Sequence, residues 1–176
     1  PDVPWGTSSA GMHAFAGGVS DGWVGACGFH YAKEHPNITV TATKAYFGVE
    51  HGLIALGTDV RRNRAIGKSV WTTVDQTAWR GPVTILKAST DQRNGTPVIE
   101  NTIIQLREGQ PHVIVDVESI VAIHHENTGY IIRACGPTTA IVQAENRTGN
   151  WHDLDARHPN RTESVLILQI SIDHGE

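Results

Sequence analysis

The sequence predicts an all-β fold, an antiparallel β-sandwich. Apolar runs of strand length recur along the chain, turn-forming residues separate them, and no stretch of about a dozen residues carries a helical apolar stripe. Glycine fills 18 of 176 positions, about a tenth where ~7% is usual. That excess suits many tight turns and bulges.

The elements follow in order. Residues 21–33 hold three glycines and read as a glycine-rich strand pair rather than a helix. Residues 39–49 set Val40, Ala42, Tyr46 and Phe47 among Thr, Lys and Gly, while 53–56 form a short apolar run bounded by Gly52 and Gly57. Further β-rich runs lie at 69–74, 83–86, 102–106, 112–117, 120–123, 130–134, 140–144 and 165–172. Turn signals fall between them at Asn94-Gly95, Glu108-Gly109, Asn127-Thr128-Gly129, Gly136-Pro137 and Thr148-Gly149-Asn150. In the last run Leu166, Leu168, Ile170 and Ile172 share one strand face, and Val165, Ile167, Gln169 and Ser171 the other. With no repeat, low-complexity tract or linker in view, residues 1–176 read as a single β-sandwich domain.

The formal net charge is -4, from 14 basic and 18 acidic residues. No basic block stands out to neutralise phosphates, so nucleic acid is not an expected partner. No apolar run approaches the roughly 20 residues of a membrane-spanning helix, and no membrane partner is expected. Arg61, Arg62 and Arg64 with Lys68 form the one local basic cluster, which reads as a solvated loop. Cys27 and Cys135 fit no metal or redox spacing and read as buried free thiols, a single disulfide being the alternative in an exported protein. The chain begins at Pro1, which reads as a processed chain or a part of something larger.

Among ten histidines, His124-His125-Glu126 is the densest group. Adjacent strand side chains point to opposite faces, so this pair does not make a metal site, and the group straddles a strand end and a turn. Asp153 and Asp155, near Trp151 and His152, read as a polar loop with too few ligands for calcium. No metal or cofactor is expected. Five tryptophans, Trp5, Trp23, Trp71, Trp79 and Trp151, offer flat faces that match the C–H face of a pyranose. Trp71 reads as core. Trp79, followed by Arg80-Gly81-Pro82, reads as an exposed loop able to meet a sugar.

Several stretches, taken in order, resemble polysaccharide lyase family 8, the hyaluronate, chondroitin AC and xanthan lyases. Gly6-Thr7-Ser8-Ser9 and Phe15-Ala16-Gly17-Gly18-Val19-Ser20-Asp21-Gly22 are similar to the opening of that family's central β-domain. Lys44-Ala45-Tyr46-Phe47 and Leu53-Ile54-Ala55-Leu56-Gly57-Thr58-Asp59-Val60 resemble its Lys-Ser-Trp-Phe and Leu-Gly-x-x-Ile strand pair, with large rings directed into a sheet interior. Trp71-Thr72-Thr73-Val74-Asp75-Gln76 is similar to its Thr-Thr-Leu-Asp-Gln strand, Arg147-Thr148-Gly149-Asn150-Trp151 to its Arg-Thr-Gly-Ser-Trp turn, and Ile172-Asp173-His174-Gly175 to its closing His-Gly motif. These motifs read as framework. The sequence departs from the family at Trp5-Gly6-Thr7-Ser8, Lys44-Ala45-Tyr46-Phe47 and Leu56-Gly57-Thr58-Asp59-Val60.

The resemblance implies part of a multi-sheet super-sandwich domain within a larger secreted or periplasmic lyase. It implies β-elimination at a uronic acid, with hyaluronan, chondroitin or xanthan as the class of substrate. The base, acid and carboxylate-binding groups belong to an upstream helical toroid domain, so no catalytic residue is assigned to this chain. Candidate substrate-binding residues are Trp79, Arg80, His125 and Tyr130. A stand-alone carbohydrate-binding module is one rival reading. A small β-sandwich lyase using Tyr130 with His124 or His125 is another.

Overall fold

The structure, a computed structural model, describes residues 11–35, 38–63, 69–90, 96–104, 108, 112–114, 120–133 and 138–175. The expected turns at Asn94-Gly95 and Gly136-Pro137 lie outside these residues, as do Cys135, Arg64 and Lys68. The chain divides into two compact units, residues 1–70 and residues 71–175.

The first unit is a four-stranded antiparallel meander, β1 (Ala16–Ser20), β2 (Gly25–His35), β3 (Ile38–Val49) and β4 (Gly52–Asn63), paired in chain order. Residues 21–33 are not a strand pair by themselves: they form the turn and most of β2, and the partner strand β1 precedes them. Asp21 makes the turn by accepting the N–H groups of Trp23 and Val24 on Oδ1, both at 2.9 Å, and Gly22 takes φ +97°. Those two N–H donors hold the Asp21 carboxyl below its ordinary pKa. Gly18 faces Cys27 across the pair, and a Cβ there would lie 2.9 Å from Ala26 O and from Cys27 Cβ. Cys27 is exposed rather than buried, on a strand paired with a glycine-rich edge strand that gives it little cover.

Arg61 and Arg62 are strand residues of β4, opposite Thr41 and Val40, not a loop. Pairing with β3 carries the strand well beyond its apolar start. Tyr46 stacks on Phe29 with ring centroids 6.2 Å apart, yet Phe47 is 39% exposed, so this motif does not bury its rings in an interior. Neighbouring residues of one strand face opposite sides, which sends the two rings to different faces.

The second unit is the sandwich. One sheet has the order β10 (Thr128–Ile132), β9 (Val121–His125), β6 (Val83–Thr90), β7 (Pro97–Ile104). The other has the order β5 (Trp71–Ala78), β12 (Thr162–Asp173), β11 (Thr139–Asn150), β8 (His112–Ile114). Pro97, with no N–H to donate, opens an edge strand. Val83, Ile85, Ile104, Val121, Ile123 and Ile132 of the first sheet meet Ala140, Val142, Ala144, Leu168 and Ile170 of the second in one buried core. The alternation foreseen in β12 places Leu168 and Ile170 there.

Arg147-Thr148-Gly149-Asn150 is not a turn. These residues end β11, paired with Val165, Ser164, Glu163 and Thr162, and the chain turns only after them, through a 3-10 turn at Trp151–Asp153. The long partner β12 supplies the hydrogen bonds that extend the strand. Trp71 is 44% exposed, a surface residue of an edge strand rather than core.

Candidate functional site

Three of the four residues singled out from sequence, Trp79, Arg80 and His125, meet at the passage from one sheet of the sandwich to the other, and the fourth, Tyr130, bonds to the strand that leads into it. β5 belongs to one sheet and β6 to its partner, so the chain crosses between them at residues 79–82. Trp79 does not lie in an exposed loop: its N–H donates to Leu166 O at 2.8 Å, and its half-buried indole packs against the core. Among the described residues the buried indole N–H finds no hydrogen-bond partner, a costly arrangement for a donor. Arg80 follows with an exposed side chain, and Gly81, at φ +76°, lets the chain reverse into Pro82 and β6.

His125 fixes that crossover. It is 2% exposed, at the inward end of β9, and its Nε2 accepts the Arg80 backbone N–H at 3.1 Å. That acceptance requires a lone pair on Nε2 and assigns the ring proton to Nδ1. His124, on the opposite strand face, is exposed, so the adjacent histidines diverge as strand geometry demands. Glu126, at φ 52°, turns the chain into β10.

Tyr130 on β10 donates its hydroxyl hydrogen to Asp75 Oδ2 on β5 at 2.5 Å, joining the edge strands of the two sheets. Burial first, and then the hydrogen bond and charge of the Asp75 carboxylate, push the Tyr130 hydroxyl up to about 12. Sequence reasoning passed over Asp75 as strand framework. A carboxylate in the middle of a β-branched strand was the available signal, since a half-buried acid needs a donor.

The remaining framework motifs also meet in space. Gln76 Nε2 donates to Gln169 Oε1 at 3.0 Å, and Gln169 Nε2 to Ser171 Oγ at 2.9 Å. Thr72 Oγ1 and His174 Nε2 share a hydrogen bond at 2.8 Å, which ties the Thr-Thr-Val-Asp-Gln strand to the closing His-Gly motif. Among the described residues the crossover offers the exposed Arg80 guanidinium, on a backbone whose N–H is held by His125.

The sequence profile of the polysaccharide lyase family 8 super-sandwich domain matches residues 2–176. Chondroitinase-AC of Pedobacter heparinus is 28% identical over 171 residues, covering 97% of this chain and 21% of that enzyme. Among solved structures, a chondroitinase AC lyase studied as enzyme–oligosaccharide complexes shares the fold, with TM-score 0.61 and 24% identity over 92% of this chain and 20% of that one. A Paenibacillus xanthan lyase gives TM-score 0.62 and 18% identity, over 91% of this chain and 14% of its own. The chain thus spans about a fifth or less of the length of these relatives. With antiparallel strand pairs in its sheets and a family match over nearly every residue, this chain belongs to polysaccharide lyase family 8, as a super-sandwich domain.

Proposed function

We propose that this chain is the supporting, substrate-lining β-domain of a secreted or periplasmic enzyme that cleaves uronic-acid-containing polysaccharides by β-elimination. The family match over residues 2–176 carries this reading. Polymers of hyaluronan, chondroitin or xanthan size do not enter cells intact, which favours action outside the cytoplasm. In such a reaction a base removes the proton at C5, positive and amide groups steady the carboxylate, and an acid protonates the leaving oxygen. A helical toroid domain of the same protein supplies those groups, and this chain forms a wall beside them.

Arg80 is the substrate contact on that wall. Its guanidinium matches a uronate carboxylate in geometry and charge. Trp79, His125 and Tyr130 act as positioning residues that hold the crossover on which Arg80 sits.

The test is turnover of hyaluronan, chondroitin and xanthan by the full-length protein carrying this chain, followed by the ultraviolet absorbance of new unsaturated sugar ends. Absorbance should rise with at least one polymer. Arg80→Ala should raise KM about tenfold, a loss of ~1.4 kcal/mol, with melting temperature unchanged. Binding of these polymers without turnover would instead mark a carbohydrate-binding module.

A further inference from the structure

The loop that joins β11 to β12 presents an exposed indole from a backbone locked by its own hydrogen bonds. Asn150 Oδ1 accepts His152 N–H at 3.0 Å, and Asn150 Nδ2 donates to Asn160 Oδ1 at 2.5 Å, closing the loop at its neck. Trp151 O accepts the N–H groups of Leu154 and Asp155 at 3.1 and 2.9 Å, and His158 N–H donates to Asp155 O at 2.9 Å. His152 Nδ1–H donates to His158 O at 2.8 Å. Trp151 is nevertheless 59% exposed, its ring 6.3 Å from that of His158. A large ring held on a rigid loop loses little entropy when a ligand covers it.

The local charges say which ligand fits. Arg147 pairs with Glu145 at 2.5 Å, Arg157 with Asp155 at 2.7 Å and Arg161 with Glu163 at 3.6 Å, so each cation is answered by a carboxylate of the same segment. Asp153, beside Trp151, is exposed and adds negative charge. An anionic sugar gains nothing from such a surface. A neutral pyranose does: its C–H face stacks on the indole, and its hydroxyls donate to the Asp153 carboxylate.

We infer that Trp151 and Asp153 form a sugar-binding site for the neutral residues of a polysaccharide chain, away from the Arg80 crossover in sequence and different from it in charge. It holds polymer without taking part in bond cleavage. The inference rests on the polysaccharide reading above but not on turnover.

Affinity electrophoresis of the full-length protein through gels containing hyaluronan, chondroitin or xanthan tests it. Trp151→Ala should weaken retention about tenfold, Asp153→Ala severalfold, and Trp151→Phe much less. Wild-type retention through Trp151 should persist at high salt, because no ion pair is screened. Turnover of a tetrasaccharide should be unchanged in Trp151→Ala. Retention of Trp151→Ala equal to wild type on all three polymers would overturn the site, and so would a lowered melting temperature with retention intact, the mark of a ring packed against protein. Trp151-dependent retention in a protein that cleaves none of the polymers leaves this site standing and removes the lyase reading alone.

Discussion

Tyr130 and Asp75 lie 55 positions apart and join the two sheets of the sandwich through one hydrogen bond of 2.5 Å. The donor sits on β10 and the acceptor on β5, each an edge strand of its sheet. The bond thus tethers the sandwich where ladder hydrogen bonds run out, and it holds β5 just before the chain crosses to β6.

The tether has a pH signature. The Tyr130 hydroxyl is raised from its ordinary 10.0 to about 12, so between those values the folded state binds a proton that the unfolded state has lost. The contribution of this tether to stability is therefore fully present below pH 10 and is lost as pH rises toward 12. Spectrophotometric titration should show a late-ionising tyrosine that Tyr130→Phe removes. The same variant should flatten the alkaline loss of thermal stability. An unchanged titration curve would count against the tether.

His125 is the second pin. His125→Ala removes the acceptor for the Arg80 N–H and opens a cavity beside the core, and should cost about 2–4 kcal/mol in urea unfolding. His125→Phe refills the space and still strands the donor, so it should recover only part of that loss. Full recovery would mean that packing alone matters at this position.

In the first unit Gly18 admits no side chain. A Cβ would meet the Ala26 carbonyl and Cys27 Cβ at 2.9 Å, and strand backbone yields less readily than the end of a long side chain. Gly18→Ala should destabilise this hairpin by about 1–3 kcal/mol. Gly57→Ala, whose nearest contact is the tip of Lys44 at 3.1 Å, should be nearly neutral. Hydrogen exchange checks both, read at the β1–β2 amides for the first and at the β3–β4 amides for the second.

Asn150 controls the β11–β12 loop. Asn150→Ala loses the cap on His152 N–H and the bond to Asn160, and should lower stability by about 1 kcal/mol. Faster proteolysis within residues 151–161 should accompany it, with cleavage elsewhere unaltered.

The sequence by itself determined the strands, their faces and several turns. Alternation in residues 165–172 put Leu168 and Ile170 on one wholly apolar face, which the sandwich buries, and strand geometry separated His124 from His125. Asn127-Thr128-Gly129 marked the turn between β9 and β10, because Asn and Gly favour turns locally. What only the tertiary structure decided is which strands meet. β4 continues to Asn63 and β11 to Asn150 because their partners, not their own residues, supply the hydrogen bonds. Trp71 is exposed because β5 lies at a sheet edge, and Cys27 because its strand has little cover, although both read as interior residues. The sequence listed Trp79, Arg80, His125 and Tyr130 as separate candidates. The meeting of Arg80 with His125 and of Tyr130 with Asp75 depends on contacts between positions 45 and 55 apart. Backbone preference and side-chain direction are local and can be read along the chain; partnership across a sandwich is not.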